Sequence, residues 1–328
     1  MRTTTARSDV YENSLDGKIE HRFVVENECA GWRLDRFLKK RIPRLSRTRL
    51  QRVIRGECWV DGREAKPAMV VYAGQEVVFR RPAPVEPEAP RELPVLLADP
   101  AFYALDKPAG IAMHPTAKFH RSTVTAVLRE RFPGEELQIT HRLDLETSGV
   151  LLVARTREAA VRLKRGFAKR QMKKRYLAVV HGRLEGEGVV DAPLGLGGGL
   201  VRVKMAIVPE AAGGLPARTL WRALRTVESE DEGEVTLVEC FPETGRQHQI
   251  RAHLDHLGHP IVGDKLYPDE TIFADYQDHG WGAVADRVSL TRHALHAARL
   301  AFPHPVTGEE VVVESPLPAA LASLVGGA

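Results

Sequence analysis

Only three cysteines occur in the chain, Cys29, Cys58 and Cys240, and no two of them form a C-x-x-C pair. Their scarcity excludes a disulfide framework and a zinc ribbon, and it fits a reducing cytoplasm. Long apolar runs are missing too: none approaches the ~20 residues of a membrane span, so no membrane partner is expected. The polar, mixed-charge stretch 1–20 contains no signal-peptide core and reads as a disordered leader. No solenoid-type repeat recurs. Gly195 to Gly199 lacks the Gly-Lys-Ser/Thr ending of a phosphate loop and reads as a flexible turn. A strong excess of one charge is likewise absent, since the net charge is +4 over 328 residues. Any nucleic-acid partner must therefore be argued from where the charges lie.

What is present is ordinary for a soluble protein, with 43% hydrophobic and 27% charged residues. The length leaves room for a catalytic core and a smaller module. Residues 21–81 form the first globular stretch. Between Arg33 and Arg55 it carries ten Lys or Arg and a single acid, Asp35. Leu34, Phe37 and Leu38, then Leu50, Val53 and Ile54, recur at helical spacing beneath this charge. Ser46 suits an N-cap, Leu45 and Leu50 a hydrophobic staple, and Gly56 a helix end. Short strands follow, with Asp61-Gly62 as a turn. Such a unit is either a phosphate-binding surface or a solvated basic face.

Prolines at 82, 84, 87, 90 and 94 mark 82–93 as an extended spacer without packed structure. Residues 94–320 then form the larger module, and 321–328 a tail. Strand patterns over 102–105, 150–153, 176–180, 219–227 and 235–241 outnumber the helical patterns, of which 158–170 is one. They often follow one another directly, so an α+β fold with a largely antiparallel mixed sheet is expected. Thr244 and Gln247 have the spacing of a capping box, opening a helix with Ile250, Leu254 and Leu257 on one face and Gly258 at its end.

Asp144 lies in a loop rich in hydrogen-bonding groups, just before an apolar strand, where catalytic groups tend to sit. By itself it would serve equally as a turn cap or a partner of Arg142. Residues 162–175 hold eight Lys or Arg and no acid, a phosphate clamp or a solvated helix face. His248, His253, His256 and His259 cluster, but no carboxylate or cysteine completes an open metal site, so no metal is expected.

The segment His141-Arg142-Leu143-Asp144-Leu145-Glu146-Thr147-Ser148-Gly149 resembles the defining motif of the RluA-type pseudouridine synthases. In the family's order follow Lys174-Arg175-Tyr176-Leu177-Ala178, Thr244 to His253 and Leu295-His296-Ala297, while Asp106-Lys107-Pro108-Ala109-Gly110 precedes it. The smaller stretch resembles the S-four-type RNA-binding domain through Arg33-Leu34-Asp35, Leu45-Ser46-Arg47, Val53-Ile54-Arg55-Gly56 and Val60-Asp61-Gly62. These resemblances imply a cofactor-independent enzyme that isomerises uridine to pseudouridine in structured RNA. Large-subunit ribosomal RNA, free or in an assembling subunit, is the expected substrate, and the enzyme is expected to be a monomer. A transfer RNA enzyme and a non-catalytic ribosome-assembly factor are the alternatives.

The resemblance further implies that Asp144 starts the reaction, by attack on the nucleoside or by removing a sugar proton. It makes Arg251 the guanidinium that holds Asp144 through two hydrogen bonds, and Tyr176 the platform beneath the base. It has Arg142 fill the space that the extruded base leaves. His141, Arg246, Lys173 and Lys174 of the larger module, with Arg47, Arg52 and Arg55 of the smaller one, are the expected RNA contacts. Residues 268–292, with Phe273, Tyr276 and Trp281, are longer and more aromatic than the family pattern leads one to expect.

Overall fold

Valine is the commonest residue in the described strands, because its branched side chain fits a pleated, half-buried surface. The computed structural model describes residues 11–13, 18–42, 47–82, 86–116, 119, 121–267 and 269–327. It divides into two units, Met1–Val85 and Glu86–Ala328.

In the smaller unit, the helices Leu34–Arg41 and Arg47–Glu57 bury Leu34, Phe37, Leu38, Leu50 and Ile54 completely. These pack with Phe23, Val77 and Phe79 from the antiparallel strands Lys18–Val24 and Glu76–Pro82. The Asp61-Gly62 turn joins two further strands, with φ of 48° and 77°, a backbone that Asp and Gly tolerate. Gly56, at φ 111°, takes the chain out of the second helix. The proposed Ser46 cap and Leu45 staple lie outside the described residues. Asp35 is fully buried and bridges the helices, accepting from Arg33 Nε and Nη2 at 3.1 Å each and from Gln51 at 2.9 Å. Part of the basic run is thus paired internally, as Lys40 and Arg41 are with Glu26. Arg52 and Arg55 are exposed; the side chain of Arg47 lies outside the described set.

The disordered leader needs correcting. Tyr11–Asn13 and Lys18–Val24 are paired strands. The charges that looked solvated are partners across the sheet: buried Glu20 accepts from Arg22 Nε at 2.9 Å and from Arg80 Nε at 2.7 Å.

In the larger unit, ten described strands make one mixed sheet. Its order is Glu187–Asp191, Arg218–Ser229, Gly233–Pro242, Lys173–His181, Leu295–Pro303, Ser148–Ala154, Phe102–Lys107 and Val95–Ala98. Gln138–Ile139 and Glu310–Glu314 pair at its sides. Pairing is antiparallel except where Ser148–Ala154 meets Leu295–Pro303, as the sequence led us to expect. The helices Val124–Arg131, Arg157–Ala168 and Gln249–His256 cover it with separate apolar clusters.

The parallel junction depends on Gly149, whose φ is +110° and whose missing Cβ leaves room for the backbone of Ala297. Gly149→Ala should destabilise the protein by about 3 kcal/mol or more, because it adds both backbone strain and a collision with main-chain atoms. Urea unfolding of the variant checks this.

Two boundaries also shift. From Glu86 onward the proline-rich spacer packs on the larger unit: Leu93 is fully buried, and the Glu86 carboxylate accepts from the backbone N–H groups of Arg121 and Ser122 at 2.8–2.9 Å. The supposed tail inserts Leu321 and Val325 into the apolar cluster beneath the sheet. Each segment carries apolar residues that a neighbouring cluster covers.

Candidate active site

A single carboxylate needs a fixed loop, a fixed counter-charge and an open face before it can act on a substrate. The loop comes first. Lys107 ends one strand fully buried, and its Nζ donates toward the carbonyls of Pro108, Asp144, Leu145 and Thr147 at 2.9–3.3 Å. Thr147 Oγ1 meets His293 Nε2 at 2.8 Å, and Ser148 Oγ meets His296 Nδ1 at 2.9 Å. Glu146 accepts from the His293 N–H at 2.9 Å and pairs with Lys265 at 2.8 Å. Asp144 therefore sits on a loop tied down on both sides, with 22% of its side chain exposed. Burial, with Arg292 nearby, pushes the Lys107 ammonium down to about 7, while its four carbonyl acceptors favour the charged form.

The counter-charge is Arg251, on the helix Gln249–His256. Its Nη1 stands 3.4 Å from Asp144 Oδ2. The two-bond grip expected on Asp144 goes instead to Asp264: Nε at 2.6 Å from one oxygen and Nη2 at 2.8 Å from the other. Asp264 is fully buried and also accepts from the N–H groups of Leu266 and Tyr267. Burial alone would raise its pKa, yet the Arg251 guanidinium holds it far below the usual carboxylate range. Asp264 was missed in the sequence. A lone acid between Ile261-Val262 and Leu266-Tyr267, in a stretch otherwise fit for the core, was the available signal.

The expected capping box does not form. His248 adopts a left-handed φ of 54°, so the helix begins at Gln249. Thr244 Oγ1 donates to Gln249 Oε1 at 2.6 Å, and the Arg246 N–H donates to the same oxygen at 3.0 Å. Gly258, at φ +84°, does close the helix.

The open face is a cleft of about 650 Å³ that brings Asp144, Arg251 and Tyr176 together. Tyr176 stands at a β-bulge, between Arg175 and Leu177 in the register of its strand, a device that re-aims a side chain. Burial and the nearby Asp144 push its hydroxyl above the ordinary tyrosine range. Lys174 donates to the Thr244 carbonyl at 2.6 Å, and burial beside Arg170 lowers it to about 8. Arg142 is exposed at the mouth, and Arg246 reaches the Pro216 carbonyl at 3.0 Å on the rim. Lys173 points away, as alternation along a strand requires, and pairs with Glu310 at 2.8 Å.

His141 lines the cleft as a fixed wall. It stacks on Phe167 with ring centroids 4.5 Å apart, and its Nε2 accepts from the Leu152 N–H at 3.0 Å. Burial, with Lys174 adjacent, lowers its pKa from the usual 6.5 to about 3. The unfolded chain therefore binds a proton at His141 that the folded protein refuses. Stability should fall as pH drops from about 6.5 toward 3, and His141→Gln should flatten this slope. Urea midpoints at stepped pH measure it.

His253 and His259 of the cluster serve the packing. His253 Nδ1 meets Thr219 Oγ1 at 2.9 Å and its Nε2 the Ala192 carbonyl at 3.0 Å, while His259 Nδ1 bonds the His181 carbonyl. Gly195 lies in a strand, Leu194–Leu196, rather than in the turn expected there.

The mixed sheet thus brings one loop-borne aspartate, a clamped buried arginine and a bulge tyrosine into a common cleft. Residues 101–256 match the family model described as RNA pseudouridylate synthase. The chain is 36% identical to the ribosomal large subunit pseudouridine synthase D of Nitrosomonas europaea, over 98% of this chain and 90% of that one. It is 32% identical to ribosomal large subunit pseudouridine synthase C of Vibrio cholerae, over 90% and 93%. Among solved structures, human RNA pseudouridylate synthase domain containing 1 shares 28% identity with a TM-score of 0.58, covering 73% of this chain and 90% of that one. The chain belongs to the RluA-type family of RNA pseudouridine synthases. It isomerises uridine to pseudouridine in RNA.

Proposed function

We propose that the substrate is large-subunit ribosomal RNA, that the enzyme works in the cytoplasm as a monomer, and that Asp144, Tyr176 and Arg251 carry the reaction. The observation that supports the site is the Asp144–Arg251–Asp264 chain opening beside Tyr176 in one cleft. The Nitrosomonas and Vibrio relatives, named as ribosomal large subunit pseudouridine synthases, support the substrate. Among the described residues, no helix is long and apolar enough to cross a membrane.

The reaction breaks the bond from N1 to the sugar, turns the base and joins C5 to the sugar, with the C5 proton leaving. Nothing is oxidised or hydrolysed overall. Asp144 starts this sequence, Arg251 fixes its direction, and Tyr176 supports the uracil face. The base has to leave its stack first, which costs a few kcal/mol. Arg142, Arg246 and Lys174 at the cleft offset that cost together with the smaller unit, which reads as an S-four-type RNA-binding domain holding RNA through Arg47, Arg52 and Arg55.

Unmodified RNA transcripts labelled with tritium at uridine C5 test the substrate. Release from large-subunit ribosomal RNA, without added metal, is the expected result. Release confined to transfer RNA transcripts would overturn the assignment.

A further inference from the structure

The loop that carries Asp144 has two open sides. Beyond the cleft with Tyr176 lies a second one, about 690 Å³, which shares His141, Arg142, Asp144, His248 and Arg251 as a common partition. Its outer wall is the helix Glu270–His279. Phe273, Tyr276 and Gln277 stand at i, i+3 and i+4, so one face of the helix turns into the cleft.

This helix is unusual in burying no residue fully. Both aromatic rings stay partly exposed on the cleft side, although burying them would be the ordinary way to stabilise such a helix. It is held from outside instead. Arg287 bonds Asp275 at 2.8 Å, Asp269 at 3.0 Å and Thr271 Oγ1 at 2.7 Å, and Glu270 accepts from the Val201 N–H at 3.0 Å. The aromatic face therefore lines the cleft that Asp144 shares: Phe273 packs on one side against the cluster of Leu194, Met205, Leu266 and Tyr267, and Lys265 Nζ stands over the Tyr276 ring, yet neither ring is fully buried. In the partition, His248 has a buried Nδ1 without a hydrogen-bond partner among the described residues and a left-handed backbone. An unsatisfied polar atom in a strained residue points to a group that arrives with a ligand.

We propose that this second cleft receives the base of a nucleotide adjacent to the target uridine, stacked against Phe273 and Tyr276. The proposal rests on the reading of the Tyr176 cleft as the place of the reacting uridine. A base flanking an extruded nucleotide has also lost a stacking neighbour, and an aromatic face restores that contact without demanding one base identity. The 270–279 helix thus contributes to the choice of target through the flanking nucleotide.

The test uses short RNAs spanning the mapped uridine, each with an abasic ribose at one flanking position. Wild type should lose at least about fivefold in kcat/KM for one such position. The double variant Phe273→Ala, Tyr276→Ala should lose a similar factor on intact RNA and then be indifferent to the abasic site, the coupling expected of a direct contact. Tyr276→Phe keeps the ring and should behave as wild type. Thermal unfolding of the double variant checks that the fold is intact, which the absence of fully buried residues in the helix favours. Equal tritium release by wild type from all the abasic RNAs would overturn the proposal and leave the Tyr176 cleft reading untouched. No release even from intact RNA would instead remove that reading, and this proposal with it.

Discussion

Asp144→Asn should stop isomerisation, lowering tritium release from uridine C5 by at least about 10⁴-fold, the scale seen when a reacting group is removed from a concerted site. The substitution preserves shape and removes the negative charge. An amide neither attacks a sugar carbon nor takes a proton from it, and its NH₂ group would face Arg251 Nη1, which now stands 3.4 Å from a carboxylate oxygen. RNA affinity, measured by filter binding, should change little, because the contacts proposed to offset base extrusion lie at Arg142, Arg246 and the smaller unit. The fold should persist as well. Asp144 is partly exposed, and its loop is held through main-chain carbonyls by Lys107 and through Thr147 and Ser148, so a stability change within about 1 kcal/mol is expected.

Substitution of Arg251 should damage stability and activity separately. Arg251→Met leaves the Asp264 carboxylate fully buried with backbone donors and no cation, a loss of about 3–5 kcal/mol for a broken buried pair. Because the pair depresses the Asp264 pKa, its stabilisation is present in full above the ordinary carboxylate range. It is lost only as pH falls through the depressed value, so the variant should also lose part of the acid dependence of unfolding. Arg251→Lys tests geometry with the charge retained. One ammonium cannot span two oxygens of Asp264 while reaching Asp144. A displaced Asp144 should cost roughly 100-fold in kcat, with little change in KM. Urea unfolding and single-turnover tritium release read the two effects independently.

The chemistry was far more legible in the sequence than its support. Asp144, Tyr176 and Arg251 stand in segments whose order resembles a known family, and they meet in one cleft. Alternation and apolar runs located the main strands to within a few residues, and their direct succession pointed to an antiparallel sheet. The clamp was hidden, because Asp264 reaches Arg251 from a separate loop that no periodicity describes. The helix cap was misplaced for a related reason: a left-handed His248 takes the N-cap position that Thr244 and Gln247 suggested for Thr244, four residues earlier. His141, an RNA contact by the resemblance, lines the cleft with its ring stacked on Phe167 and its Nε2 accepting from a backbone N–H, partners that the sequence does not show. Charges misled at the amino end in the same way, where Glu20 and Arg80 are partners across strands far apart in sequence.

The most direct measurement maps pseudouridine in large-subunit ribosomal RNA from cells lacking this chain and supplied with either wild type or Asp144→Asn. Wild type should restore pseudouridine at discrete positions that Asp144→Asn leaves as uridine. Restoration by Asp144→Asn, at equal protein abundance, would show that the chemistry does not pass through this carboxylate.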